Sequence, residues 1–113
     1  VAFPVLDQFR FHHVLAETPG TALVIFTSEG CGSCSHWKRV LTEYQAGYPD
    51  ITIFEVDAGH DLALAREFYV FHLPALFLFH DGQFHASVQS EAHPTRLRAA
   101  IAHALAQPAQ EAP

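Results

Sequence analysis

The sequence predicts an α/β domain built on one central mixed β-sheet, and three observations predict it. An apolar run, Leu23-Val24-Ile25-Phe26, leads into Cys31-Gly32-Ser33-Cys34 and then into a helical pattern. In that pattern Trp37, Val40, Leu41 and Tyr44 fall at i, i+3, i+4 and i+7, one face of a helix. Helical and strand-like segments alternate as far as Tyr69, the pattern of crossover units and parallel strands. Beyond that point two β-prone runs flank Asp81-Gly82, a hairpin signal that adds antiparallel strands.

In chain order, residues 1–6 are short and apolar, and Pro4 confines any strand there to the sheet margin. Asp7 is suited to cap a helix running to about Glu17, with Phe9, Val14 and Leu15 as a partial apolar face. Thr18-Pro19-Gly20-Thr21 is a turn. A strand over 22–27 delivers the cysteines, a helix over 32–46 carries them away, and Gly47 stops it. The next strand, 51–57, has Ile51, Ile53 and Phe54 and little room for a solvated face, which predicts a central position in the sheet. A short helix over 61–69 packs through Leu62, Leu64, Ala65 and Phe68. The hairpin takes residues 75–80 and 83–88. The last helix runs from Pro94, suited to the first helical position, to Ala106, with Leu97, Ile101, Ala104 and Leu105 as its buried stripe.

At 113 residues the chain makes one domain, expected over 1–107, with a flexible tail over 108–113. Half of the residues are hydrophobic and ten are Phe, enough to pack a core without a disulfide, so the two cysteines are free to react. A formal charge of −6 with no basic run argues against nucleic acid as a partner. Nine histidines are spread along the chain and look compositional. No segment approaches the ~20 apolar residues of a membrane span. Val1-Ala2-Phe3-Pro4 has no basic-then-apolar leader. A monomer in the cytoplasm is the expectation, with the periplasm as the alternative if a leader once preceded Val1.

The chemistry concentrates at the strand–helix junction. Unpaired N–H groups and the positive end of a helix dipole stabilise a thiolate over a thiol there. Cys31, at the outer end of the turn, is the candidate nucleophile. Cys34, one turn further in, is the candidate for resolving the mixed disulfide. A metal site is the competing reading, although zinc sites usually need four ligands and only His36 lies close in sequence. A structural disulfide is a third reading, weakened by the short loop that it would close.

The order of elements, Cys31-Gly32-Ser33-Cys34, and the run Leu73-Pro74-Ala75-Leu76-Phe77-Leu78-Phe79-His80-Asp81-Gly82 together resemble the thioredoxin family, over roughly residues 5–106. The resemblance implies a thioredoxin fold, with helices on both faces of the sheet. It also implies a cis bond before Pro74, which faces the cysteine turn and leaves the backbone of Leu73 free to pair with a substrate peptide. Gly32, Ser33, Leu73 and Pro74 are thereby implied as substrate-binding positions.

The departures from the family pattern carry information. Gly30 and Thr27 occupy positions where the family has tryptophans, and Ser33 replaces the proline between the cysteines. The family's buried Asp and Lys align with Ile25 and Ile53, so both charges of that pair are expected to be missing here. Glu29, His36 and His72 are the titratable candidates for tuning Cys31. An imidazolium at His72, where the family has a small residue, would favour the thiolate, whereas Glu29 would oppose it. Ser90 replaces a common glycine and is expected to crowd the peptide groove.

The function implied is a thiol–disulfide oxidoreductase that reduces protein disulfides and is recharged by a reductase or another thiol carrier. It would need no cofactor beyond a redox-active Cys31–Cys34 disulfide. The alternative is a thioredoxin-fold module that binds a partner or a metal with little turnover. A glutathione-linked or iron–sulfur role is less favoured, because no basic clamp for a glutathione carboxylate is apparent.

Overall fold

A computed structural model describes residues 3–113. Its elements are α1 (Phe11–Ala16), β1 (Thr21–Thr27), α2 (Gly32–Gly47), β2 (Thr52–Asp57), α3 (Leu62–Glu67), β3 (Ala75–His80), β4 (Gln83–Val88) and α4 (Pro94–Ala106). The strands form one sheet in the order β2-β1-β3-β4. β1 and β2 run parallel, while β1–β3 and β3–β4 are antiparallel. The mixed α/β sheet that the sequence predicts is present, with the hairpin at the predicted residues.

Alternation along each strand divides the core in two. On one face Leu23, Ile25, Ile53, Leu76 and Leu78 meet Trp37, Leu41 and Tyr44 of α2 and Leu97 and Ile101 of α4. On the other face Val24, Phe26, Phe54, Phe77 and Phe79 meet Phe11 and Leu15 of α1 and Leu64 of α3. This second face is largely aromatic. Phe68 lies at its centre, with ring centroids 5.1 to 6.4 Å from those of Phe11, Phe26, Phe77, Phe79 and Phe84.

Four expectations are corrected by the structure. β2 lies at one end of the four-strand order, not in its middle. Its near-continuous apolar run reflects cover on both faces, and its outer edge is closed by the N-terminal segment. There Leu6 N–H donates to the Glu55 carbonyl at 2.8 Å and Glu55 N–H donates to the Pro4 carbonyl at 2.9 Å. Val5 forms a single bridge rather than a strand, and residues 1–2 of that expected strand lie outside the described residues. α1 begins only at Phe11, because the Asp7 carboxylate accepts from the N–H groups of Phe9 and Arg10 and holds residues 7–10 in a turn. Leu62 and Leu105, expected to be buried, are exposed at the edges of their helices' apolar stripes, and Phe9, expected on the apolar face of the first helix, is exposed in the turn before α1.

The hairpin tip shows why glycine follows Asp81. Asp81 and Gly82 both have positive φ, and a Cβ on Gly82 would collide with the Ala16 carbonyl. Gly20 N–H donates to the Asp81 carboxylate at 2.7 Å, tying the tip to the turn before β1. At the opposite margin of the sheet, the segment after α4 returns along β4. Gln110 N–H donates to the His85 carbonyl at 2.6 Å, and its side-chain oxygen accepts from Ser87 N–H at 3.1 Å.

Candidate active site

β1 ends at Thr27, and the turn Ser28-Glu29-Gly30 leads to Cys31, which caps α2. The Cys31 backbone is extended and its sulfur accepts the N–H of Cys34 at 3.2 Å, taking the place of the usual hydroxyl or carboxylate oxygen. Cys31 and Cys34 are joined in a disulfide. Their environments differ: Cys34 is 1% exposed, whereas Cys31 is half-buried and open to a partner. A negative charge on Cys31 would sit against the first N–H groups of a 16-residue helix.

The loop before β3 comes up to this turn. Leu73–Pro74 is a cis peptide bond, as the resemblance implied. Ser33 links the two segments, its hydroxyl 3.4 Å from the Cys31 sulfur and 3.5 Å from the Leu73 carbonyl. Gly32 opens the helix. Cys31, Cys34, Ser33 and Leu73 are thus brought together.

The titratable candidates show no contact of this kind. Glu29, His36 and His72 are all exposed, and none of their side chains makes a hydrogen bond or ion pair among the described residues. His72 lies next to the Leu73–Pro74 bond, and His36 lies on the exposed side of α2. The Ser90 hydroxyl bonds to the Glu91 carbonyl at 2.8 Å. Among the described residues no group of three or more His, Cys, Asp or Glu side chains converges as a metal site would require.

The structure adds a charged pair that the sequence does not announce. Glu55, only 9% exposed, accepts from the Thr27 hydroxyl at 2.5 Å and from the Lys38 ammonium at 3.1 Å. Lys38 follows Cys34 by one helical turn, on the same face of α2. In the β1–β2 register Glu55 lies beside Ile25, the position at which the family's Asp is expected to be simply lost. The pair is present, with its carboxylate moved across to β2 and its cation on α2. Two signals were available: a Glu between Phe54 and Val56 in the apolar middle of a strand, and a Lys four residues after the second cysteine.

A pair of this kind costs more to break than to replace. Lys38→Met should destabilise the oxidised protein by about 2 kcal/mol, less than a fully buried pair because Lys38 is one-third exposed. Lys38→Met with Glu55→Leu should recover most of that loss. Urea denaturation of the two variants checks both values, and a double variant as unstable as the single one would contradict the account.

The sequence profile of the family described as Thioredoxin matches residues 2–103. The chain belongs to the thioredoxin family. A thioredoxin of Chlamydia muridarum is 38% identical over 79 residues, covering 70% of this chain and 76% of that protein. The Chlamydia trachomatis thioredoxin is 34% identical over the same length and shares. Among solved structures, oxidised mitochondrial thioredoxin 3 of Saccharomyces cerevisiae superposes with a TM-score of 0.77 at 24% identity, covering 89% of this chain and 94% of that one. Zinc-bound human ERp44 superposes with a TM-score of 0.72 at 17% identity, over 93% of this chain and 31% of that one. At such identities these two likenesses show the fold alone. With a Cys-x-x-Cys disulfide in place, this thioredoxin-family chain is a thiol–disulfide oxidoreductase.

Proposed function

We propose that the protein works as a reductant of protein disulfides, with Cys31 as the attacking thiolate and Cys34 as the resolving thiol. The observation that carries this assignment is the difference in access: a substrate disulfide can reach the sulfur of Cys31 but not the buried sulfur of Cys34.

In the first step the Cys31 thiolate bonds to one sulfur of the substrate disulfide, and the other sulfur leaves as a thiolate. In the second, the Cys34 thiolate attacks the Cys31 sulfur, closing the intramolecular disulfide and releasing the remaining substrate sulfur. The substrate gains two electrons, and its thiolates take up protons from water. The Cys31–Cys34 disulfide must then be reduced by another dithiol carrier or a reductase. Cys34 has to lose its proton away from bulk water. We assign Glu55 to assist that loss, supported by its place beside Ile25 and its link through Lys38 to the helix that carries Cys34.

Two measurements test the proposal together. Equilibration with glutathione buffers should place the dithiol near the ~−270 mV of a reducing thioredoxin rather than the ~−120 mV of a strong oxidant. Alkylation against pH should show Cys31 forming its thiolate below the range of a free thiol, because of the helix N-terminus. A potential near the oxidant's value would reverse the proposed direction.

A further inference from the structure

The loop from α3 to β3, which brings Leu73 to the cysteine turn, displays large apolar side chains that the described residues leave exposed. Phe71 is 83% exposed and Tyr69 is 69% exposed, although the neighbouring Phe68 is buried in the core. The positive φ of Tyr69, 53°, belongs to the end of α3, where its N–H donates to the Arg66 carbonyl at 3.2 Å and that of Val70 to the Ala65 carbonyl at 2.8 Å. Burial does not explain either ring.

A groove explains both. Tyr69, Phe71, His72 and Pro74 line one side of a cleft of about 370 Å³, and Ser87 and Gln89 at the end of β4 line the other. That volume is at the small end of ligand clefts, ~300–1,000 Å³, and suits one or two side chains rather than a cofactor. No Asp, Glu, Lys or Arg is among its lining residues. Pro74 lines the cleft and is bonded to Leu73, whose carbonyl Ser33 links to the Cys31 sulfur. A polypeptide paired with the Leu73 backbone therefore lies one residue from this cleft.

We propose that Tyr69 and Phe71 form a side-chain pocket for the disulfide-bearing polypeptide, selecting extended segments with an aromatic or large aliphatic residue within a few positions of the cysteine. This inference rests on the exchange reading above and names its substrate class. The occupant is a protein segment because Pro74, one of the positions read above as binding the substrate backbone, also lines the cleft. Aromatic side chains in such desolvated pockets are common anchors of recognition.

The test uses the full chain and two synthetic peptides joined by the same disulfide, one with Phe and one with Ser three residues from the cysteine. Reduction of 2-hydroxyethyl disulfide by the unaltered protein reads the exchange chemistry separately. The expected result is a kcat/KM for the Phe peptide roughly 10- to 100-fold above that for the Ser peptide. In Phe71→Ser and in Tyr69→Asn, whose side chain tolerates the same backbone, that ratio should collapse towards one. Equal rates for the two peptides, or a ratio that survives both substitutions, overturns the pocket while leaving the exchange reading intact. No reaction even with 2-hydroxyethyl disulfide overturns both. A dimer that dissociates on Phe71→Ser in sedimentation overturns the pocket in favour of a second copy of the chain as occupant.

Discussion

Cys34→Ser should leave a protein that attacks a disulfide once and stops. Without the second thiol, the mixed disulfide on Cys31 has no internal nucleophile to resolve it. Covalent one-to-one adducts should accumulate, visible by non-reducing mass spectrometry and removed by dithiothreitol. Turnover should fall by at least about 10³-fold, as when any member of a reacting unit is removed. Cys31→Ser should form no adduct, because the thiol that remains is 1% exposed. Adducts on Cys31→Ser, or sustained turnover by Cys34→Ser, would overturn the order of attack.

Phe68→Ala should cost about 4 kcal/mol of stability in urea denaturation, twice the loss expected for Lys38→Met. The side chain is buried and its ring meets those of five other phenylalanines, drawn from α1, β1, β3 and β4. Truncation removes both the transferred area and the ring-to-ring contacts, and neighbours held on three separate strands cannot close the gap. A domain of this kind is stabilised by only ~5–15 kcal/mol in total, so the loss is a large share. Phe68→Leu should cost about 1–2 kcal/mol, since most of the volume stays. A loss for Phe68→Ala no greater than that for Phe68→Leu would contradict this packing account.

The elements that the sequence made plain are those where local chemistry and global position agree. Asp81-Gly82 is such a case: the residues favour the turn, and the approach of the Ala16 carbonyl excludes a side chain at Gly82. Cys31 is another, since the same cysteine follows a strand and caps a helix. What misled was any inference from composition to place. β2 is buried on both faces, and that is compatible with either a central strand or an outer one whose edge another segment covers. Leu62 and Leu105 continue apolar stripes that geometry turns outward. Glu55 was missed because a position-by-position comparison follows the charge where the family keeps it. In this chain the carboxylate stands on the neighbouring strand as the register partner of Ile25, a placement that comparison along one strand does not reach.

The backbone bonds at the two margins of the sheet guard against a hazard inside it. Ala75-Leu76-Phe77-Leu78-Phe79 is uncharged, strongly β-prone and free of proline, the composition of segments that stack into fibrils when exposed. In the folded chain it is β3, shielded between β1 and β4. β4 in turn meets Gln110 on its outer side, and β2 meets the segment of Pro4 and Leu6. Strand addition from a neighbouring molecule therefore finds these positions already taken. The cover on the sheet's two edges thus comes from a few hydrogen bonds near the two ends of the chain, far in sequence from β3 itself.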